Sequence, residues 1–271
     1  MDHRTTRPPT ETPLLARDEP APVLVENGQG QAPVLLLCDH AVNFIPRALG
    51  DLGLSPTERA RHIAYDIGIL PVTRKLAAAL DAPLVRTHFS RLIVDPNRQL
   101  DDATLIPEIA DGTIVPGNGD LDGAATAARL QTFFWPYHHT VAQWIETLRA
   151  RTGRSPVLIS MHSFTPEMHG RPRPWDVGIL WDSDGRLPLP AMDWLAARGW
   201  CVGDNEPYSG RGHHGYTQHV HGDRLGLANV LIELRQDQIG DESGQDRWAD
   251  ELIAMFRQLL ADDRLYHVKP R

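Results

Sequence analysis

His40 and His162 each follow a short apolar run, Val34-Leu35-Leu36-Leu37-Cys38 before the first and Val157-Leu158-Ile159-Ser160-Met161 before the second. Runs of this length and composition read as buried strands. In an open α/β sheet ligands bind outside the carboxyl ends of the strands, so histidines at two such ends converge on one point. That is the beginning of a catalytic metal site, which needs about three protein ligands and one open position for water. Either histidine alone is equally consistent with a hydrogen-bonded structural residue.

A carboxylate is the expected third ligand. Asp66 is the choice, because it opens the helix after the first strand and the loop can return it towards His40; its competing role is that of a helix N-cap. Asp39 is adjacent to His40 but points the opposite way on an extended backbone. Asn43, three residues after His40, is a neutral and poorer ligand that suits a supporting hydrogen bond. Glu233 lies in the otherwise apolar run Asn229-Val230-Leu231-Ile232-Glu233-Leu234-Arg235. Burial there raises its pKa and suits it to pass a proton from water to a leaving amine; an ion pair with Arg235 is the alternative. Arg86, Arg91 and Arg98 cluster around Val94-Asp95-Pro96-Asn97-Arg98. A guanidinium grips a carboxylate bidentately, so one of them beside a metal selects an acidic substrate.

The elements that must position these residues alternate between short β-rich runs and longer segments of helical period, which predicts a mixed, mainly parallel sheet flanked by helices. Strands are predicted at 33–38, 84–88, 91–95, 156–161, 177–181 and 228–234. Ile69, Val72, Leu76 and Leu80 mark one helix, with Pro71 tolerated in its first turn. Leu130 to Leu148 mark a longer one that Pro136 should kink or divide, and Trp248 to Leu259 mark a last helix. Two long irregular stretches, 97–122 and 203–224, are of the kind that build or cover a site. The second is rich in Gly, His and Tyr, which allow close backbone approach and supply donors and proton carriers.

The chain has 271 residues, 41% of them hydrophobic, and a formal charge of −8 without a basic block. One domain over 21–271 is expected, nucleic acid is excluded as a partner, and a small molecule is the expected one. No apolar run approaches a membrane span. Residues 1–20, rich in Pro, Thr and charge, read as a disordered tail without the apolar segment of a signal peptide. Two cysteines are too few for a disulfide framework and fit a reducing, cytoplasmic location. The sequence does not specify the oligomeric state.

Taken in order, Leu37-Cys38-Asp39-His40-Ala41, the Asp66 helix start, Ser90-Arg91-Leu92-Ile93-Val94-Asp95-Pro96-Asn97-Arg98, Met161-His162-Ser163-Phe164, Asn205-Glu206-Pro207-Tyr208-Ser209-Gly210 with Gly215-Tyr216, and Leu231-Ile232-Glu233-Leu234-Arg235 resemble the N-formylglutamate amidohydrolase family over about residues 33–240. The resemblance implies a fold similar to zinc carboxypeptidases and aspartoacylase, in which a zinc-activated water attacks an amide carbonyl. It also implies that His40 and His162 are ligands, that Glu233 is the general base, and that Asn97 and Arg98 hold a substrate carboxylate. In that group the acidic ligand follows the first histidine closely, a place held here by Asn43. The chain also carries Asp39-His40-Ala41-Val42 where Pro-His-Ser-Gly is typical, and Pro96 where leucine is common, and so resembles a divergent branch.

The expected activity is zinc-dependent hydrolysis of N-formyl-L-glutamate, or a related N-acyl acidic amino acid, to formate or another acid and the free amino acid. His40, Asp66 and His162 would hold the metal, and Arg86, Arg91, Asn97, Arg98 and Tyr208 would contact substrate. Tyr216 and His219 would stabilise the oxyanion or close over substrate. No G-x-S-x-G elbow is present, which favours activated water over a serine nucleophile. An amidase for another substrate and a non-catalytic metal or ligand binder, with the histidine-rich loop 213–221 as a second holding site, are the competing classes.

Overall fold

The structure, a computed structural model, describes residues 13–211 and 215–269. Seven strands form the sheet: β1 (Val23–Glu26), β2 (Val34–Cys38), β3 (Leu84–Thr87), β6 (Val157–Phe164), β9 (Val177–Leu180), β10 (Val202–Asp204) and β11 (Asn229–Arg235). Two small hairpins, β4 (Ile109–Ala110) with β5 (Thr113–Ile114) and β7 (Glu167–Met168) with β8 (Arg171–Pro172), lie outside it. The helices are α1 (Pro56–Arg59), α2 (Ile69–Leu80), α3 (Gly123–Arg129), α4 (Trp135–Thr152), α5 (Pro188–Ala197), α6 (Tyr216–His221) and α7 (Glu242–Leu259).

The strand order is β1-β3-β2-β6-β11-β9-β10. Strands β3, β2, β6 and β11 run parallel, while β1 pairs antiparallel with β3 and β9 antiparallel with β11. This is the expected mixed, mainly parallel sheet. Its central strands read as near-continuous apolar runs because both faces are covered. Val34, Leu36 and Cys38 of β2, Val157, Ile159 and Met161 of β6, and Val230, Ile232 and Leu234 of β11 pack in one core with α2, α5 and α7. The alternate residues Leu35, Leu37 and Leu158 meet Tyr137, Val141, Ile145 and Leu148 of α4 on the other face. By strand alternation Ser160 and His162 share the face of Leu158, and Leu231 and Glu233 lie beside them in register. Chemistry therefore gathers on the α4 face, at the carboxyl edge of the parallel strands.

Two expectations about the elements need correction. Residues 91–95 form turns and no strand: Ile93 N donates to Ser90 O at 3.0 Å and Asp95 N to Leu105 O at 2.7 Å. Their apolar side chains enter a second cluster with Leu52, Ile63, Leu105, Phe133 and Phe134 that packs the long loops rather than the sheet. His162 lies within β6, which continues to Phe164, rather than beyond its end. Pro136 does fall in the first turn of α4, where a missing N–H costs nothing, directly after a π-helical turn over Leu130–Phe134. Of the expected tail, residues 1–12 lie outside the described residues; within 13–20, Leu14 and Leu15 pack on the second cluster, and Glu19 accepts from Arg47 N at 2.8 Å.

Candidate active site

Asp66 is held from three sides. Its backbone N donates to His40 O at 2.9 Å, Ser163 Oγ donates to the Ile67 carbonyl at 2.9 Å, and Gly68 turns the chain into α2 with φ +79°. A side chain at Gly68 would also meet Ile239 O at 2.2 Å, so the turn needs glycine. Gly68, not Asp66, occupies the N-cap position of α2, and the capping role is thereby excluded.

The Asp66 carboxylate points at both histidines. Its Oδ2 lies 2.9 Å from His162 Nδ1 and 3.4 Å from His40 Nδ1, and it accepts from Ser163 N at 3.3 Å. One donor atom from each of His40, Asp66 and His162 falls within a group no wider than 4.8 Å, and all three residues are buried. The far nitrogens face carboxylates: His40 Nε2 is 2.8 Å from Asp95 Oδ1, and His162 Nε2 is 3.6 Å from Asp39 Oδ2. Asp39, set aside as a ligand, backs His162 and accepts a hydrogen bond from Tyr137 of α4. A carboxylate behind each imidazole, fixing its orientation and leaving the opposite nitrogen for a metal, is the usual supporting arrangement of histidine ligands.

Charge makes the same case. Asp39, Asp66 and Asp95 are buried; Arg91 Nε and Nη2 donate to Asp95 Oδ2 at 3.0 and 2.5 Å, Arg91 Nη1 lies 3.5 Å from Asp66 Oδ1, and the more exposed Arg98 Nε lies 3.8 Å from Asp95 Oδ2. The buried carboxylates, with Glu233 beside them, outnumber Arg91 and Arg98, a deficit of positive charge that a divalent ion or imidazolium rings offset. The pKa shifts of the two histidines run in the same direction. Burial opposes their charging, yet Asp39 and Asp66 hold the His162 pKa well above its usual value, and Asp95 with Asp66 raises that of His40. Burial likewise opposes ionisation of Asp66, and the two histidines outweigh it and hold its carboxyl low. The donor set of two imidazoles and a carboxylate suits zinc, so the residues fit the group that the resemblance implies.

Glu233 pairs with His162 across β11 and β6 and with Gly178 across β9. It is buried, and its Oε2 has no hydrogen-bond partner. Burial, reinforced by Asp66 and opposed by His162, pushes its pKa up to about 7. The alternative pairing with Arg235 is not made: that guanidinium bonds Asp237 at 2.8 Å and the Pro174 and Trp175 carbonyls. Gly178 leaves room for the Glu206 carbonyl, which a Cβ there would meet at 2.1 Å. Asn205, at φ +55°, then fixes the 205–210 loop by accepting from Trp181 N at 3.1 Å and Gly210 N at 2.8 Å, and this loop carries Tyr208 into the site.

A cavity of about 530 Å³ opens over these groups and is lined by His40, Asp66, Arg91, Asn97, Arg98, His162, Tyr208 and Glu233 among others. Asn97 Oδ1 accepts from Thr217 N at 3.1 Å, which leaves its amide donors for a ligand. Three expectations do not hold. Arg86 donates to Glu26, to Thr87 O and towards His88 Nδ1, and it lies outside the cavity because its strand parity turns it to β1. Tyr216 packs its ring on Phe134 and His138, with centroids 5.1 and 4.6 Å away, and His219 of the same helix is also absent from the cavity wall. In their place Gly215 and Gln218 reach the cavity. Asn43 is exposed and spends its amide on Arg59 O, to which it donates at 2.9 Å. His213 and His214 lie outside the described residues. Asp95, Tyr137 and Gln218 carry no role in the sequence reading, and Asp39 enters it only as a ligand set aside; the four-residue spacing of Arg91 and Asp95 is the one local signal available.

A buried His-Asp-His group on the carboxyl edge of a mainly parallel sheet, with an unpartnered glutamate beside it, defines the class of a hydrolase. The comparisons with known proteins agree. The sequence model of the N-formylglutamate amidohydrolase family matches residues 32–240, and the chain belongs to this family of amide hydrolases. It is 28% identical over 259 residues to the N-formylglutamate deformylase of Pseudomonas aeruginosa, covering 86% of this chain and 92% of that protein. Gene product Atu2144 of Agrobacterium tumefaciens has a similar crystal structure, with TM-score 0.87, 37% identity and coverage of 92% of this chain and 98% of that one. The N-formylglutamate amidohydrolase of Ralstonia eutropha JMP134 shares the fold, with TM-score 0.70, 21% identity and coverage of 90% and 98%. Among the described residues no helix is long and apolar enough to cross a membrane.

Proposed function

We propose that the protein is a zinc-dependent amidohydrolase that cleaves the amide bond of a small N-acyl amino acid, with N-formyl-L-glutamate as its reference substrate. The observation that carries this reading is the convergence of His40 Nδ1 and His162 Nδ1 on Asp66 beside the buried, unpartnered Glu233. His40, Asp66 and His162 would hold the ion, which when bound polarises the scissile carbonyl and makes water more acidic. Arg98, with the Asn97 amide, holds a substrate carboxylate and sets the amide over Glu233. Glu233 takes a proton from the attacking water as its oxygen bonds to the carbonyl carbon. It returns the proton to nitrogen as the C–N bond breaks, giving the acid and the free amine. A pKa near 7 suits both halves of that transfer.

The test is formate release from N-formyl-L-glutamate by zinc-reconstituted protein, with chelated protein as control and bound metal measured on the same sample. Metal-dependent release with one ion per chain is the expected result. Release that survives chelation would overturn the metal-dependent reading.

A further inference from the structure

The cavity is larger than its reference substrate requires. N-formyl-L-glutamate has a dozen non-hydrogen atoms; even at the roughly 30 Å³ per molecule of liquid water these fill at most about 360 Å³, and covalently bonded atoms pack closer still. The cavity, open to solvent at its mouth and including the space an ion and its water would take, measures about 530 Å³.

The surplus space has apolar walls on both sides of the reacting centre. Leu231 stands two residues before Glu233 on β11, on the same face, and pairs with Leu180 of β9; both line the cavity. That places an apolar wall about 7 Å along the strand from the Glu233 side chain. Phe164 stands two residues after His162 on β6 and continues into Met168 of the β7–β8 hairpin, so a second wall flanks the centre on the outer side.

Positive charge is scarce by comparison. Among the described residues the guanidinium groups on the cavity wall are Arg91 and Arg98, and Arg91 is bound by Asp95, with Asp66 3.5 Å from its Nη1. Arg98 is 37% exposed, with its Nε 3.8 Å from Asp95 Oδ2, and is placed to meet one substrate carboxylate. Arg173, behind the wall, is engaged by Thr165 Oγ1, Tyr208 OH and Met168 Sδ, and Asp111 on the wall is tied to Arg61 outside it, so a second carboxylate, such as the glutamate side chain carries, has no guanidinium of its own among the described residues. An uncompensated carboxylate against apolar walls is strongly disfavoured.

We infer that the site prefers N-acyl amino acids with one carboxylate and one bulky apolar group over N-formyl-L-glutamate. This inference rests on the amidohydrolase reading above. The chemistry is the same hydrolysis: water adds to the carbonyl carbon, the C–N bond breaks and the nitrogen gains a proton.

The experiment compares kcat/KM of the zinc-loaded full chain for N-formyl-L-phenylalanine, N-hexanoylglycine and N-formyl-L-glutamate. At least about a tenfold advantage is expected for one of the first two over the third, the scale on which a hydrophobic pocket discriminates by small apolar groups. Which of the two wins tells whether the apolar group lies on the amine or the acyl side. Leu180→Ala or Met168→Ala then narrows that ratio by about fourfold for each wall methylene removed from the bound apolar group. Equal or better turnover of N-formyl-L-glutamate would overturn the inference and leave the amidohydrolase reading standing. Loss of turnover of all three by metal-filled protein would overturn both. A ratio unmoved by either alanine variant would overturn the assignment of the apolar walls.

Discussion

Glu233→Gln separates chemistry from stability at one atom. The amide matches the carboxyl in shape and, at low pH, in polar demand, but it neither accepts the proton from water nor carries charge. Loss of a positioned general base costs roughly a hundredfold to ten-thousandfold in kcat, with metal content unchanged. Stability moves the other way. The unfolded carboxyl loses its proton near 4.5 and the folded one near about 7, so between these values the folded state binds more protons and stability falls as pH rises. At about 1.4 kcal/mol per pH unit the accumulated cost above pH 7 reaches roughly 3 kcal/mol, and the glutamine variant is free of it. For a chain of this size that corresponds to a gain of roughly 6–12 °C in Tm. Calorimetry of chelated wild-type and variant protein at pH 5 and pH 8 measures it, since a bound ion would stabilise the charged form. The expected gap is small at pH 5 and large at pH 8. A gap independent of pH, or a variant within tenfold of wild-type kcat, would refute the assignment.

Three further outcomes are expected. His162→Ala should lose stoichiometric zinc, read by elemental analysis after dialysis, while its circular dichroism stays close to wild type; retention of one tightly bound ion would remove His162 from the ligand set. Arg98→Ala should lower kcat/KM by roughly ten- to a hundredfold, the worth of a charged hydrogen bond, and the loss should vanish for the corresponding substrate amide that lacks a carboxylate. The third concerns His138 and His221, where His221 Nε2 faces His138 Nδ1 at 3.0 Å and His138 Nε2 faces Pro96 O at 2.9 Å. Burial pulls their pKa values from 6.5 down to about 3 and about 4. The unfolded chain therefore gains these protons first, and stability present above pH 6.5 is lost as pH falls towards 4. In chelated protein His221→Gln should reduce that slope by about 1.4 kcal/mol per pH unit relative to wild type, measured by urea titration at pH 6.5, 5.5 and 4.5; parallel curves would refute the buried neutral pair.

Legibility from sequence followed burial. Strands β2, β6 and β11 could be read because both of their faces are covered, which leaves only apolar residues and the few polar ones that act. The same criterion misled at 91–95, where an equally apolar run is buried against loops instead of a sheet. Strands β1 and β10 escaped notice because they sit at the sheet edges, with only four and three residues and partly exposed side chains. Arg86, Tyr216 and His219 are misplaced for a related reason: which way a side chain turns depends on strand parity or helix phase, and neither is fixed where 203–224 reads as a loop and the strand Leu84-Val85-Arg86-Thr87-His88 shows no alternation of apolar and polar residues.

Two of the site's residues are visible for the opposite reason, because each breaks a local rule. An ionisable group inside or at the end of an apolar strand is costly unless something offsets it. His162 and Glu233 are such groups, Asp66 is legible only as the carboxylate that opens α2 after the first strand, and the structure brings all three together with His40. Their supports are invisible by the same argument. Asp39 is an ordinary residue at a strand end, Tyr137 an ordinary aromatic in a helical stripe, and Asp95 an ordinary turn former; each acquires its role only when α4 packs over β2 and β6 and the 95–98 loop closes on His40. Residues that meet the substrate and the ion must announce themselves by chemistry, whereas residues that aim them need only the right place in three dimensions.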